Sequence, residues 1–166
     1  MRSLGQISEK LSCDVSDIEN ICIWGNHSAT QFPDTTFATV KGEKLTDKCD
    51  KEYLEGEFIT KVAKRGAEII SVMDKSSCAS AAAAICEHMH DWWFGNQIGG
   101  WVSMGVQVEG GRYGVDGDLV FGYPCNVGAD GEWSIVEGLE LNDFQKSKID
   151  ATMKELQEER KMALGR

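Results

Sequence analysis

The sequence predicts an α+β fold in which helices pack on a mostly antiparallel sheet. Apolar residues recur at helical spacing near both ends and through the middle of the chain. Between 101 and 135 they instead alternate, or gather in short β-branched and aromatic runs separated by glycine turns. No strand leads through a G-x-G-x-x-G turn into a helix, so a parallel nucleotide-binding sheet is not expected. The 166 residues suit one domain spanning 1–166, and 42% apolar content is enough to bury a core.

In chain order, Leu4, Ile7, Ser8 and Leu11 stand at helical spacing, and Asp14, Ser16 and Asp17 end that pattern as a polar turn. Ile21-Cys22-Ile23-Trp24 is a compact β-branched and aromatic run, a buried strand that delivers Gly25-Asn26-His27 to a loop. From Thr30 to Asp50 only Phe37–Val40 reads as structure, an edge strand within irregular chain. Leu54, Phe58, Val62, Ile69 and Met73 make one face of a long amphipathic helix over Lys51–Met73, with Lys61, Lys64, Arg65 and Glu68 opposite. Gly56 and Gly66 each cost such a helix about 1 kcal/mol relative to alanine, which points to a bend, a break or a close contact at one of them.

Ser76 is placed to cap a second helix running through Ala81–Ala84 to Phe94, where Gly95 supplies a left-handed stop. Its alanine-rich face is expected in the core; the alternative is a seam between subunits. Trp101–Val108 alternates with a period of two, Gly110-Gly111 turns the chain, and Val120–Tyr123 and Glu132–Ile135 complete an antiparallel meander. Asn142 and Gln145 have capping-box spacing, opening a final helix with Ile149, Met153, Leu156 and Arg160 on one face.

Composition narrows the functional classes. Acidic residues outnumber basic ones 27 to 17, a formal charge of −10, which repels phosphate backbones and anionic lipid; no nucleic-acid or membrane partner is expected. The six cysteines contain no C-x-x-C and the three histidines no H-x-x-x-H, so the thiols are expected to be reduced and no metal site is predicted. No apolar leader or span of about 18 apolar residues occurs, so a soluble intracellular chain is expected.

Trp24-Gly25-Asn26-His27-Ser28 is the constellation with chemical content: a histidine just beyond a buried strand, beside a glycine that lets the backbone turn. Histidine is the side chain best suited to exchange a proton near neutral pH, although a strand-end histidine also serves as a structural hydrogen-bond partner. His88 and His90, two apart on a helix, point about 200° apart and cannot chelate one ion. Gly111, Gly114 and Gly117 follow a turn and read as a loop, and there is no G-x-x-x-x-G-K-[ST] phosphate loop.

The run Ile23-Trp24-Gly25-Asn26-His27-Ser28-Ala29-Thr30-Gln31-Phe32-Pro33-Asp34 resembles the cytosolic type of malate dehydrogenase around its active-site histidine. Gly56–Thr60, Arg65-Gly66-Ala67, Ser76-Ser77, Trp93-Phe94-Gly95, Val102–Gly105, Tyr113-Gly114-Val115, Glu137-Gly138-Leu139 and Asn142-Asp143-Phe144 follow the same family in order, over nearly the whole chain. The resemblance implies the C-terminal, substrate-binding half of a lactate/malate dehydrogenase, interconverting malate and oxaloacetate with NAD in the cytoplasm as a homodimer. It implies that His27 is the proton acceptor and donor, and that Arg2 grips a substrate carboxylate with its planar, permanently charged fork. Ser76 would line the substrate pocket, or act only as the helix cap.

Departures accompany the likeness. The aspartate that orients the histidine belongs to an Asp-His-Asn-Arg run of which only Arg2 stands here, with Met1 in the asparagine's place. The Gly-rich nucleotide-binding half is not in these 166 residues, the Lys41–Tyr53 connection is shorter than in the family, and Asp116-Gly117 replaces Pro-Asp. Two expectations follow. One is the catalytic half of an NAD-dependent malate dehydrogenase, a piece inactive alone. The other is a truncated, cofactor-free interaction module that pairs with intact subunits through its first helix and Ala79–Trp92.

Overall fold

The computed structural model describes residues 1–75, 78–96, 100–107 and 109–165. Its elements, in order, are α1 (Arg2–Leu11), β1 (Ile18–Glu19), β2 (Cys22–Trp24), β3 (Phe32–Asp34), β4 (Thr39–Val40), β5 (Glu43–Lys44), α2 (Phe58–Met73), α3 (Cys78–Phe94), β6 (Val102–Gln107), β7 (Val120–Val127), β8 (Trp133–Ile135) and α4 (Asp143–Leu164). Every described strand pair is antiparallel, as the α+β expectation requires.

The strands form three small sheets, ordered β1-β4-β5, β2-β3 and β6-β7-β8. The predicted meander is the third: Met104 pairs with Tyr123, and Asn126 with Ser134. Pro124 lies in its central strand without a broken ladder. The pairing with β8 begins only at Cys125, and the Pro124 carbonyl, on the side facing β8, accepts from the Val136 N–H at 2.9 Å.

Two apolar clusters hold these elements. Trp24, Phe32, Phe121, Tyr123, Ile135 and Ile149 belong to the larger, between the β2–β3 hairpin, the meander and α4. Ile7, Val40, Leu45, Leu54 and Phe58 belong to the smaller, under α1 and the first turn of α2, and Ile59 packs against both. The helix ends follow local chemistry. Asn142 Oδ1 accepts from the Gln145 N–H at 3.0 Å while Gln145 Oε1 accepts from the Asn142 N–H at 2.9 Å, the reciprocal box expected from the sequence. Gly95 takes φ +83° after Phe94, the left-handed stop.

Several expectations are corrected. The Thr30–Asp50 segment holds three short strands where one was expected. Phe37–Val40 contracts to Thr39–Val40, which lies between β1 and β5 and is not an edge. Such two- and three-residue strands carry too little sequence for a periodicity and are defined by their partners. The Lys51–Met73 helix contains a π turn at Tyr53–Glu57 that includes Gly56, and it leaves the core after Val62, so that Met73 is 54% exposed. The alanine-rich face of α3 is not core: Ile85, Trp93 and Phe94 are 64%, 74% and 64% exposed, and no α3 residue is buried. Periodicity reports which face is apolar, not whether another element covers it. α3 is held at its C-terminal end, where Trp92 Nε1 donates to the Gly131 carbonyl at 3.1 Å.

Candidate active site

The His27 loop begins at a backbone crossing. β2 runs over β7, and Gly25 and Gly122 exchange N–H···O bonds of 3.2 and 3.0 Å. Both positions need glycine. A Cβ on Gly122 would lie 2.7 Å from the Gly25 carbonyl, and one on Gly25, whose φ is +89°, would lie 2.3 Å from Thr152 of α4. Ser103 Oγ accepts from the Ile23 N–H at 2.9 Å and fixes the strand just before the crossing.

Beyond the crossing, α4 grips the loop from one side. The Asn26 N–H donates to Thr152 Oγ1 at 3.1 Å, and Asn26 Nδ2 reaches both Glu159 oxygens at 3.4 Å. Ser28 Oγ donates to Glu155 Oε2 at 2.6 Å, and the Thr30 hydroxyl donates to the same oxygen. The Ser28 hydroxyl, then that of Thr30, holds the Glu155 carboxyl below the usual glutamate range, since both bonds favour the charged form. His27 itself is exposed. Its N–H donates to Asn26 Oδ1 at 2.9 Å, and its ring has no hydrogen bond among the described residues.

Under the loop lies a buried carboxylate that sequence reasoning missed. Asp34, 1% exposed, accepts from Trp24 Nε1 at 3.0 Å and Gln145 Nε2 at 2.7 Å on one oxygen, and from the Thr36 N–H at 2.9 Å on the other. The donors come from β2, the turn after β3 and the start of α4, so Asp34 joins the two ends of the His27 loop to the helix that grips it. Its only sequence signal is an acidic residue ending an otherwise apolar Phe32-Pro33 run.

Arg2 stands on a different element. It is exposed at the first turn of α1, and a Cβ on Gly66 of α2 would lie 2.9 Å from its Nη2. Of the two glycines expected to bend or loosen the long helix, Gly66 is the one with a close neighbour; nothing lies within 4 Å of a Cβ on Gly56. No hydrogen bond or ion pair joins Arg2 to His27 among the described residues. Ser76 lies outside the described residues. A Gly66→Ala substitution should raise the melting temperature by about 2–4 °C, because the helix gains about 1 kcal/mol and the flexible guanidinium can yield; a lower melting temperature would show that the contact is rigid.

His88 and His90 make separate contacts: His88 meets Trp92, while His90 lies 3.6 Å from Asp91 and meets Phe94. No cluster of metal-ligating side chains occurs among the described residues. Gly111, Gly114 and Gly117 lie on the loop expected for them, where Asp116 and Asp118 pair with Arg160 of α4 at 3.3 and 3.5 Å. No described helix is long and apolar enough to cross a membrane.

Residues 1–165 match the α/β C-terminal domain of the lactate/malate dehydrogenases. The chain is 51% identical over 159 residues to a malate dehydrogenase of Corynebacterium jeikeium, covering 96% of this chain and 48% of that one. It is 48% identical over 167 residues to a cytoplasmic malate dehydrogenase of Zea mays, covering 98% and 50%. Among solved structures, a Trichomonas vaginalis lactate dehydrogenase in complex with NADH and oxamate superposes with a TM-score of 0.92 at 37% identity, over 99% of this chain and 51% of that one. A Naegleria fowleri malate dehydrogenase gives 0.89 at 43%, over 97% and 49%. The chain thus spans about half the length of the relatives it matches.

Proposed function

The chain belongs to the lactate/malate dehydrogenase family, as its α/β C-terminal domain, and on that premise we propose that residues 1–166 form the substrate-binding and proton-transferring half of an NAD-dependent malate dehydrogenase. One observation carries the reading: an exposed imidazole, its ring without a hydrogen bond among the described residues, stands on a loop anchored through a glycine crossing and one helix. When oxaloacetate is reduced its ketone oxygen must gain a proton, and when malate is oxidised its hydroxyl must lose one. His27 does both, because imidazole exchanges a proton reversibly near neutral pH. Arg2 binds a substrate carboxylate through its forked guanidinium, and the family resemblance assigns Ser76 to substrate binding or to a helix cap.

The described residues do not fit a dinucleotide. Their strands all pair antiparallel, and none passes through a glycine-rich phosphate turn into a helix N-terminus. The main NAD-binding domain is therefore not among these residues, and the work of this half is to bind the dicarboxylate and move the proton. The maize relative supports a cytoplasmic setting, and the exposed apolar residues of α3 support a homodimer. The same exposed face favours the second reading, a cofactor-free module that pairs with intact subunits.

Fusing residues 1–166 behind the nucleotide-binding half of the maize relative and following oxaloacetate-dependent NADH oxidation tests the proposal. We expect turnover by the fusion and none by the 166-residue chain alone. A fusion that folds and binds NADH yet turns over no oxaloacetate would overturn it, and would leave the module reading.

A further inference from the structure

Resting on the reading of His27 as the proton carrier, we infer that Glu155 is its positioning residue: one carboxylate oxygen on α4 ties down the hydroxyls of Ser28 and Thr30 and so fixes the backbone that carries the imidazole. The His27 ring has no hydrogen bond of its own among the described residues, so its place in space is set by the backbone beneath it. That backbone has few ties. Ser28 N–H donates to the Asn26 carbonyl at 2.9 Å, Thr30 N–H to Ser28 Oγ at 3.2 Å, and Gln31 N–H to the Ser28 carbonyl at 3.3 Å, all bonds within the loop.

Among the described residues, the side-chain ties to the rest of the molecule on the far side of His27 both end on Glu155 Oε2, from residues one and three positions after it. On the near side the ties are Asn26 N–H to Thr152 Oγ1 and the weaker Asn26 amide to Glu159. Thr152 and Glu155 are one turn apart on α4 and so present one face to the loop. A charged acceptor makes a stronger bond than a neutral one, and Glu155 here serves two donors at once. Its position 127 residues from Ser28 makes it a tether between distant parts of the chain and not a local turn. Glu155 touches no reacting atom in this arrangement; it acts only through the loop.

Amide hydrogen exchange on the 166-residue chain reads this directly, because it reports the loop without requiring turnover. Glu155→Ala should speed exchange at Ser28 and Thr30 about tenfold or more, with Glu155→Gln, which keeps a neutral acceptor, falling between it and the parent. Tyr123 and Cys125 in β7 should exchange as before. The pair Ser28→Ala with Thr30→Val removes the same tether from the loop side, should speed Gln31 in the same way, and serves if Glu155→Ala fails to fold. In the two-half fusion, Glu155→Ala should lower kcat about tenfold or more with little change in KM, since misplacing a catalytic group slows the step without weakening binding. Equal acceleration in β7, an unchanged loop, or a loosened loop with parental kcat would each overturn the inference. The role of His27 is judged separately, by its own substitution, so either claim can fail without the other.

Discussion

Asp34→Ala is expected to lower the unfolding free energy by about 2–5 kcal/mol, read as an earlier midpoint in urea with little change in slope. Three donors converge on this carboxylate, and with alanine in its place the two buried side-chain donors, Trp24 Nε1 and Gln145 Nε2, have no acceptor and no access to water. The loss is amplified by position. Gln145 uses its other amide atom to cap α4, so disturbing it loosens the start of the helix that holds the His27 loop. Asp34→Asn should cost less, because an amide oxygen in the place of the one shared by Trp24 and Gln145 keeps both side-chain bonds, and only the Thr36 N–H is left facing the NH₂. A loss below about 1 kcal/mol for alanine would show that the network contributes little to folding.

His27→Gln in the two-half fusion should lower kcat by about 10²–10⁴ with KM for oxaloacetate little changed, the usual contribution of a positioned general acid. Glutamine keeps a polar side chain of similar reach but exchanges no proton near neutral pH. The folded state should be almost unaffected, since His27 is exposed and its ring has no hydrogen bond among the described residues. The urea midpoint of the variant is therefore the internal control. An unchanged kcat would remove His27 from proton transfer, and a shifted midpoint would assign it a structural role instead.

These two positions differ in how visible they are along the chain. His27 is legible because its context is local: a short β-branched strand, then glycine, then a loop. α4 and its Asn142–Gln145 box are legible for the same reason, since the signal lies in residues three apart. Asp34 and Glu155 are not. An acid at the end of a short strand and a glutamate on a highly charged amphipathic helix read as solvated surface, and their partners lie up to 111 and 127 residues away.

The sequence by itself determined the helices and the meander, the placing of the histidine beyond a buried strand, and the family, because hydrophobic period, capping pairs and ordered motifs are properties of neighbouring residues. The tertiary structure decided that α3 presents its apolar side outward, that β3 and β5 exist at all, and that the His27 loop is fastened to α4 through Glu155 and braced on Asp34. Burial and hydrogen-bond partnership depend on which distant surfaces meet, and a linear pattern shows only that a surface is apolar or that a group can pair, not what it meets.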